Sequence, residues 1–578
     1  MDKSQRISLH RTAHYFLEGL DELGLDYLFC NFGTDHAPLI EAMAAWQKAG
    51  RRFPRTVVCP HENTAVHMAA GYALQTGRGQ GVMVHVDAGT ANAAMALHNL
   101  RRQRIPVLVM AGRSPYTIRG ELEGSRDNYV HFIQEPFDQG GLVRPYVKWE
   151  WTLPSGVVTK EALRRAHSVA HSDPQGPVYL VLPRETLTET WDEGAVRAFP
   201  ADRYGAVTGG AADPAAIGRL AERLLGATHP ILLTSYAGRN ENAPALIGEI
   251  ARFAGIRVFE PHASNLNISR ASPNFAGDMP GAHLAAADVG LLVDVDVPWI
   301  PRQAKENPTT WWAHIDVDVI KQDSPMWGFA NNLRLRGDSV IILGQLLEAL
   351  KARATPAFHA AAAHRMQTIT AEHEQRRAAA AKVAAMKGAA NGVSPAYVSE
   401  ELGRALGADD ILLNEAVRNR GAVFEQIPRT RPGSYFGFAG GGLGAGAGMA
   451  LGMKLAHPQR TVVHVAGDGV FYFGNPSSVF AVSKQYGLPV FTVVLDNSGW
   501  GAVKAAVLSV YPEGDAKALH EFHAQLAPQV EFGKIAEAAG GHAEYVSDPE
   551  QVRGAIERSL AAVRGGRSAL MHVRIPSI

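Results

Sequence analysis

Two cysteines in 578 residues, Cys30 and Cys59, are too few for a disulfide framework, and neither sits at a metal-ligand spacing. The chain is therefore read as working in a reducing, cytoplasmic setting. An excess of one charge is also missing: Lys plus Arg and Asp plus Glu both number 56, so no net field gathers nucleic acid or an anionic membrane. No apolar run approaches the roughly 18 residues needed to cross a bilayer. The opening Met1-Asp-Lys-Ser-Gln-Arg-Ile lacks the apolar core of a secretory signal. These absences leave a small molecule as the expected partner, with no nucleic acid and no membrane.

What is there is an alternation of short β-rich runs with helical patterns. Tyr27-Leu-Phe-Cys30, Gly81-Val-Met-Val-His-Val86, Pro106-Val-Leu-Val-Met110 and Val178-Tyr-Leu-Val-Leu182 punctuate the first third. A second block opens at His229-Pro-Ile-Leu-Leu and runs through Val289-Gly-Leu-Leu-Val and Trp311-Trp-Ala-His-Ile to about Leu350. An Ala-rich, charge-dotted stretch over 351–390 reads as a helical connector, and a third block follows to Ile578. Fully apolar strands alternating with helices mean parallel sheets covered on both faces. The expected fold class is α/β, with three doubly wound parallel-sheet domains.

The chemistry concentrates at strand ends. Thr461-Val-Val-His-Val-Ala466 runs into Gly467-Asp468-Gly469, and the next apolar run, Val490-Phe-Thr-Val-Val-Leu495, ends in Asp496-Asn497-Ser498-Gly499. Adjacent parallel strands would bring Asp468 and Asn497 together at one sheet edge, an oxygen-only donor set of the kind Mg²⁺ takes when it bridges protein and phosphate. The flanking glycines would let a phosphate approach the backbone. A tight strand-to-helix turn is the plainer explanation of Gly-Asp-Gly taken alone. Earlier in the chain, Glu62 follows a strand in Cys59-Pro-His-Glu-Asn-Thr and opens a helix that ends in Ala69-Ala-Gly-Tyr-Ala-Leu.

Glu62 before a small-residue helix, then Gly467-Asp468-Gly469, then Asn497, in that order, resemble the thiamine-diphosphate-dependent decarboxylase and acetolactate synthase superfamily over essentially the whole chain. Arg431-Pro-Gly-Ser-Tyr-Phe, Gly441-Gly-Leu-Gly444 and His85-Val-Asp-Ala-Gly-Thr-Ala-Asn92 are similar to the benzoylformate decarboxylase pattern. The resemblance implies a pyrimidine-binding domain over 1–190, a central domain over 205–350 and a diphosphate-binding domain over 390–578. It also implies thiamine diphosphate and Mg²⁺ as cofactors, bound between subunits of a homodimer or homotetramer, with Glu62 and the metal site coming from different subunits.

Residue by residue, the resemblance makes Glu62 the carboxyl group that hydrogen-bonds the aminopyrimidine and His85 a proton-transfer group. Thr34 stands where a serine would hold the substrate carboxylate, with His36 a further polar candidate. Asn414 and Glu415 would contact the pyrimidine and Arg418 the site entrance. Leu443, beside Gly442, would prop the cofactor in its bent form. Gly467, Asp468, Gly469, Asn497 and Gly499 would surround the diphosphate, with Asp468, Asn497 and the Gly499 carbonyl on the metal.

Some positions depart from the pattern. Asp496 replaces an asparagine, the Phe471–Ser478 segment is longer, and Val417-Arg-Asn-Arg420 replaces small hydroxyl residues. Where a second catalytic histidine belongs, the chain reads Val293-Asp-Val-Asp-Val-Pro-Trp-Ile-Pro-Arg302, with Pro301 near that place. The same segment lacks the expected flavin contacts, so no FAD is expected. Trp299 is either core or a cover for substrate or a nucleotide-bearing acyl group, and His520 and His523 are either a solvated loop or part of the entrance.

The activity these features imply is decarboxylation of a 2-oxo acid, with or without acetolactate-type carbon–carbon bond formation. The alternatives are a 2-hydroxyacyl-coenzyme A lyase or oxalyl-coenzyme A decarboxylase-like enzyme, and an inactive cofactor-binding homologue.

Overall fold

The structure is a computed structural model that describes residues 10–577 except 193, 390 and 529. Seventeen strands build its three larger sheets. In the first sheet, β1 (Tyr27–Cys30), β2 (Arg55–Val58), β3 (Gly81–Val84), β4 (Leu108–Arg113), β5 (Glu150–Thr152) and β6 (Val178–Pro183) lie in the order β2-β1-β3-β4-β6-β5, all parallel. The second holds β7 (Ile231–Thr234), β8 (Arg257–Phe259), β9 (Val289–Val293), β10 (Trp311–Asp316) and β11 (Leu333–Arg336) in the order β8-β7-β9-β10-β11. The third holds β12 (Ile411–Glu415), β13 (Tyr435–Phe436), β14 (Val462–Gly467), β15 (Phe491–Asp496), β16 (His542–Val546) and β17 (Ala569–Arg574), ordered β13-β12-β14-β15-β17-β16. The first and third sheets thus repeat one winding. In each, the order in which strands are added reverses between the first and third strands, where doubly wound sheets open a crevice at their carboxyl edge.

Helices fill the gaps between strands. Those that matter for the site are α1 (Glu62–Thr76), α2 (Asp87–Gln103), α3 (Pro356–Ala385), α4 (Ala445–Ala456), α5 (Asp468–Phe473) and α6 (Gly501–Val510). The Ala-rich stretch is α3, a helix of 30 residues whose described side chains are mostly exposed, with Phe358, Ala362, Ile369 and Ala384 turned inward. Among the described residues, no helix is long and apolar enough to cross a membrane.

Two compact units result: Met1–Val207 with Gly440–Gln459 and Tyr472–Leu488, and Thr208–Ala439 with Arg460–Phe471 and Pro489–Ile578. The second unit contains two sheets because they share a core. One apolar cluster runs from Ala216 in the segment before β7 to Ile575 after β17. A buried cation reinforces the junction: Arg270, 1% exposed, has its guanidinium 3.9 Å from the ring centres of both Phe424 and Tyr435 and pairs with Glu260 at 3.2 Å. Such a group is tolerated because its charge is matched and its faces are covered by aromatic π-systems.

Candidate active site

In the first unit, the carboxyl edge of the sheet gathers Glu62, His85 and Thr34. Glu62 opens α1 behind an N-cap in which the His61 side chain accepts from the Asn63 N–H at 3.1 Å. The carboxyl group is buried, and Asn92 of α2 donates to its Oε2 at 3.0 Å. Gly89 lets the next group approach: a Cβ there would lie 3.1 Å from Glu62 Oε1 and 3.4 Å from the His85 Cβ.

His85 lies just beyond β3 with an acceptor at each ring nitrogen. Nδ1 makes a short hydrogen bond with Asp35 Oδ1, and Nε2 lies 2.9 Å from Gln134 Oε1. Two acceptors favour the doubly protonated ring. Burial pushes the His85 pKa down, but the hydrogen bond and charge of Asp35, with help from Gln134, outweigh it and raise the pKa above the ordinary histidine value. Gly33 makes this pairing sterically possible, since a Cβ there would fall 1.8 Å from His85 Nδ1. Asp35 itself is fully buried, and its Oδ2 has no hydrogen-bond partner among the described residues.

The polar residue singled out beside Thr34 therefore changes. His36 is fully buried, and its Nδ1 accepts the Gly33 N–H at 3.0 Å, so it closes the turn after β1. Its neighbour Asp35 meets His85 instead. Thr34 is exposed and bonded to His131, with Oγ1 and Nε2 2.9 Å apart.

The Gly-rich turn before α4 belongs to the same unit. Asn99 clamps Gly442 through both backbone groups, accepting its N–H at 3.1 Å and donating to its carbonyl at 2.8 Å. A Cβ at 442 would fall 2.3 Å from Met95 Sδ and 2.8 Å from Asn99 Oδ1, so both side chains would have to shift to admit one. Leu443 follows, half-buried, and Gly444 turns into α4 with φ +85°.

In the second unit, β14 delivers Asp468 and β15 delivers Asn497. Asp468 Oδ2 and Asn497 Oδ1 both accept from the Gly499 N–H, at 2.9 and 3.1 Å, while Oδ1 of Asp468 takes the Gly469 N–H at 2.9 Å. Burial, followed by the nearby Asp496 carboxylate, raises the Asp468 pKa to about 6. Two side-chain oxygens converging on one amide form a hard-donor pair suited to Mg²⁺. Among the described residues, no cluster of three or more His, Cys, Asp and Glu side chains stands ready for a metal, so the remaining ligands have to come from backbone, phosphate or water. Gly499 presents its N–H to the pair while its carbonyl accepts from Gly501 at 3.0 Å. Gly467 borders the site with open space at its Cα, and a Cβ at Gly469 would lie 2.9 Å from the Trp500 ring.

Asn414 and Glu415, at the end of β12, are buried and already partnered. Asn414 donates to the Arg420 carbonyl at 3.0 Å and to the Tyr435 hydroxyl at 3.3 Å, and Glu415 Oε2 lies 3.1 Å from His464 Nε2. Arg418 lies in the short turn that follows. Trp299 resolves as core: it is 1% exposed and packs against Trp312 and Phe329 with ring centres 5.0 Å from each. His520 helps line a cavity of about 230 Å³ beside Asn497 and Trp500, whereas the His523 side chain is 91% exposed.

The N-terminal binding domain of thiamine pyrophosphate enzymes matches residues 10–142, and the C-terminal binding domain of the same enzymes matches residues 419–573. The chain belongs to the thiamine pyrophosphate enzyme family. Along its length it is 27% identical over 553 residues to the benzoylformate decarboxylase of Pseudomonas aeruginosa, covering 94% of this chain and 95% of that one. It is 25% identical over 541 residues to the acetolactate synthase isozyme 3 large subunit of Escherichia coli, covering 90% and 88%. The fold is that of the thiamine diphosphate-dependent 4-hydroxybenzoylformate decarboxylase of Rhodococcus jostii RHA1, with a TM-score of 0.77 at 22% identity over 98% of this chain and all of that one.

Several groups in this thiamine pyrophosphate enzyme were given no role from the sequence. Asp35, Gln134, His131 and Asn92 reach the first-sheet edge from different turns and helices. Asp496 is held by His572 Nε2 at 2.9 Å and by the Ser498 N–H at 2.7 Å. Asp35 was within reach of the sequence as the residue between Thr34 and His36, Asn92 as the end of the motif that starts at His85, and Asp496 as a departure from the family pattern, whereas His131 and Gln134 carried no mark.

Proposed function

We propose that this enzyme decarboxylates a 2-oxo acid, with or without joining the product to a second carbonyl compound, using thiamine diphosphate and Mg²⁺. The observation that carries the reading is the His85–Asp35 pair beside Glu62, a buried carboxylate hydrogen-bonded to an imidazole whose pKa it raises, at the edge where Thr34 is exposed. An imidazolium there can give a proton to a substrate carbonyl oxygen as charge develops, and Asp35 keeps the ring oriented for its return. Glu62, fixed by Asn92, is the group for the aminopyrimidine nitrogen. Asn99, through Gly442, sets the Leu443 side chain that would support the bent cofactor. Asp468 and Asn497, with the Gly499 carbonyl once its peptide is turned, would hold Mg²⁺, which neutralises diphosphate charge. Gly467 and Gly469 would leave room for that diphosphate, with Asn414 and Glu415 lining the strand end behind it. When bound, thiamine diphosphate supplies the electron sink that decarboxylation needs.

A homodimer or homotetramer and a cytoplasmic location form part of the proposal, the latter in keeping with two unoxidised, buried cysteines. The coenzyme A lyase reading loses support because Trp299, its possible cover for an acyl group, lies in the core.

The test is a screen of 2-oxo acids and 2-hydroxyacyl-coenzyme A thioesters with thiamine diphosphate and Mg²⁺, recording CO₂ and organic product together. The expected result is CO₂ from at least one 2-oxo acid, abolished by chelator and reduced at least about 100-fold in Glu62→Gln and Asp468→Ala. Turnover of thioesters alone would overturn the reading.

A further inference from the structure

Asp496, the carboxylate that stands where the family pattern has asparagine, ends β15 and directly precedes the loop 497–499. Two side chains of the neighbouring strand meet it. β17 pairs with β15 in parallel, with Arg574 opposite Asp496 and His572 opposite Val494, and residues two apart on a strand share a face. His572 Nε2 lies 2.9 Å from Asp496 Oδ2, and Arg574 Nη1 lies 3.5 Å from the same oxygen while donating to the Ser498 hydroxyl in a short hydrogen bond. Ser498 gives its backbone N–H to Asp496 Oδ1 at 2.7 Å and its hydroxyl to the same atom at 3.4 Å. A carboxylate only accepts, so it takes all of these donors at once, where an asparagine would turn its own NH₂ toward one of them.

The loop needs such support. Ser498 has φ +56°, a left-handed conformation that costs free energy for any residue with a Cβ. After that turn the Gly499 N–H reaches both Asp468 Oδ2 and Asn497 Oδ1. Close packing does not hold the loop from behind: Asp496, His572 and Arg574 line a cavity of about 660 Å³ together with Lys534 and Tyr545, so hydrogen bonds have to do so. The His572 ring keeps its direction between Phe532 and Tyr545, with ring centres 4.8 and 5.1 Å away. A later segment clips the same loop through its backbone, the Leu526 N–H donating to the Ser498 carbonyl at 3.0 Å.

We propose that His572 and Arg574 are positioning residues that act through Asp496 and Ser498, holding the loop 497–499 in the shape that receives Mg²⁺ before the ion arrives. The inference rests on the assignment of Asp468 and Asn497 to the metal and adds the brace behind them. Charge alone predicts the reverse for one member of the pair. Arg574 is a cation beside a cation site, so electrostatics would have its removal tighten metal binding, whereas the loss of a brace weakens it.

Mn²⁺ is the probe, titrated into the whole chain with thiamine diphosphate present and followed by electron paramagnetic resonance of the free ion. Mg²⁺ activation of 2-oxo acid turnover is the second readout. Arg574→Met, which keeps the aliphatic stem, and His572→Phe, which keeps a ring between Phe532 and Tyr545, are each expected to weaken Mn²⁺ binding about tenfold and to raise the Mg²⁺ activation constant by as much, while kcat at saturating Mg²⁺ stays within about threefold. His572→Gln, whose amide reaches the same oxygen, should recover most of the affinity. In Asp496→Ala, where the brace has lost its anchor, adding His572→Phe should cost nothing further. Arg574→Met decides the matter if His572→Phe prevents folding. Wild-type Mn²⁺ affinity in the folded variants, tighter binding in Arg574→Met, or additive losses in the double variant would overturn the inference. Asp468→Ala separates it from the reading beneath: if that variant loses Mn²⁺ while the brace variants bind as wild type does, only the brace falls, and if Asp468→Ala itself binds as wild type does, the metal assignment falls with it.

Discussion

At the residue scale, Asp35 is a fully buried carboxylate with one hydrogen-bonded oxygen among the described residues. Asp35 depends on His85, because a buried charge without a partner costs several kcal/mol. His85 in turn has a raised pKa only because Asp35 and Gln134 outweigh its desolvation. A histidine whose folded pKa exceeds its unfolded value contributes stability that is fully present below about pH 6.5 and is lost as pH rises through the folded value. Replacing Asp35 by Asn removes the charge, so the His85 pKa should drop, in the direction burial alone dictates. Proton NMR of the His85 Cε1–H should show the wild-type titration at the higher pH. The stability gap between wild type and Asp35→Asn should shrink as pH rises from 6 to 9, and a gap that grows over this range would contradict the assignment.

At the element scale, α1 and α4 approach through glycine. A Cβ at Gly71 would fall 2.0 Å from the Met449 carbonyl oxygen, one at Gly452 would fall 2.0 Å from the Met68 carbonyl oxygen, and one at Gly448 would meet the His67 Cβ at 2.7 Å. Backbone on both sides cannot yield as a flexible side chain would. Gly452→Ala is therefore expected to cost at least about 1–3 kcal/mol, the usual penalty of overpacking. A lower urea midpoint would register it, and an unchanged midpoint would mean that the helices stand further apart. Because α1 begins at Glu62 and α4 follows Leu443, the same change should also weaken cofactor retention.

Much of this layer was legible in the sequence, but unevenly. Strands buried on both faces, such as β3, β6, β14 and β15, stand out as mainly apolar runs, interrupted in β14 by His464 and in β15 by Thr492. The edge strands β5 and β16 are half exposed and show no such run, so the sequence did not mark them. Nor was β17 marked from the sequence; its His572 meets Asp496 at the end of the neighbouring strand β15. Site residues followed the same logic. Glu62, Asp468 and Asn497 lie at strand ends marked by glycine or by a helix start, whereas His131 and Gln134 belong to a turn whose packing no periodicity encodes.

At the scale of the whole molecule, the winding of the first sheet recurs in the third, and each carries chemistry at the same edge. The first gathers Glu62, His85 and Thr34, and the third gathers Asp468 and Asn497, the groups to which the proposed function gives proton transfer and metal binding. Strand order does not show in composition; it depends on pairings between segments far apart in the chain. The division into two units, with the second and third sheets sharing a core around Arg270, was likewise invisible before the packing was known.

The scarcity of cysteine has a further use at this scale. Cys30 ends β1 and Cys59 follows β2; both are essentially inaccessible, and both thiols point to the Val57 carbonyl, at 3.6 and 3.7 Å. Burial pushes the Cys30 pKa up to about 12 and raises that of Cys59 as well. Neither is a thiolate at neutral pH, so a thiol reagent has to wait until the sheet opens. With no other cysteine in the chain, labelling of the native enzyme should proceed slowly, at a rate set by opening, and rapidly in denaturant. Prompt labelling of the folded protein would show that this edge is loose. The two sulfurs thus act as a built-in clock for the opening of the very strands that present Thr34 and Glu62, and the clock can be read without altering a single residue.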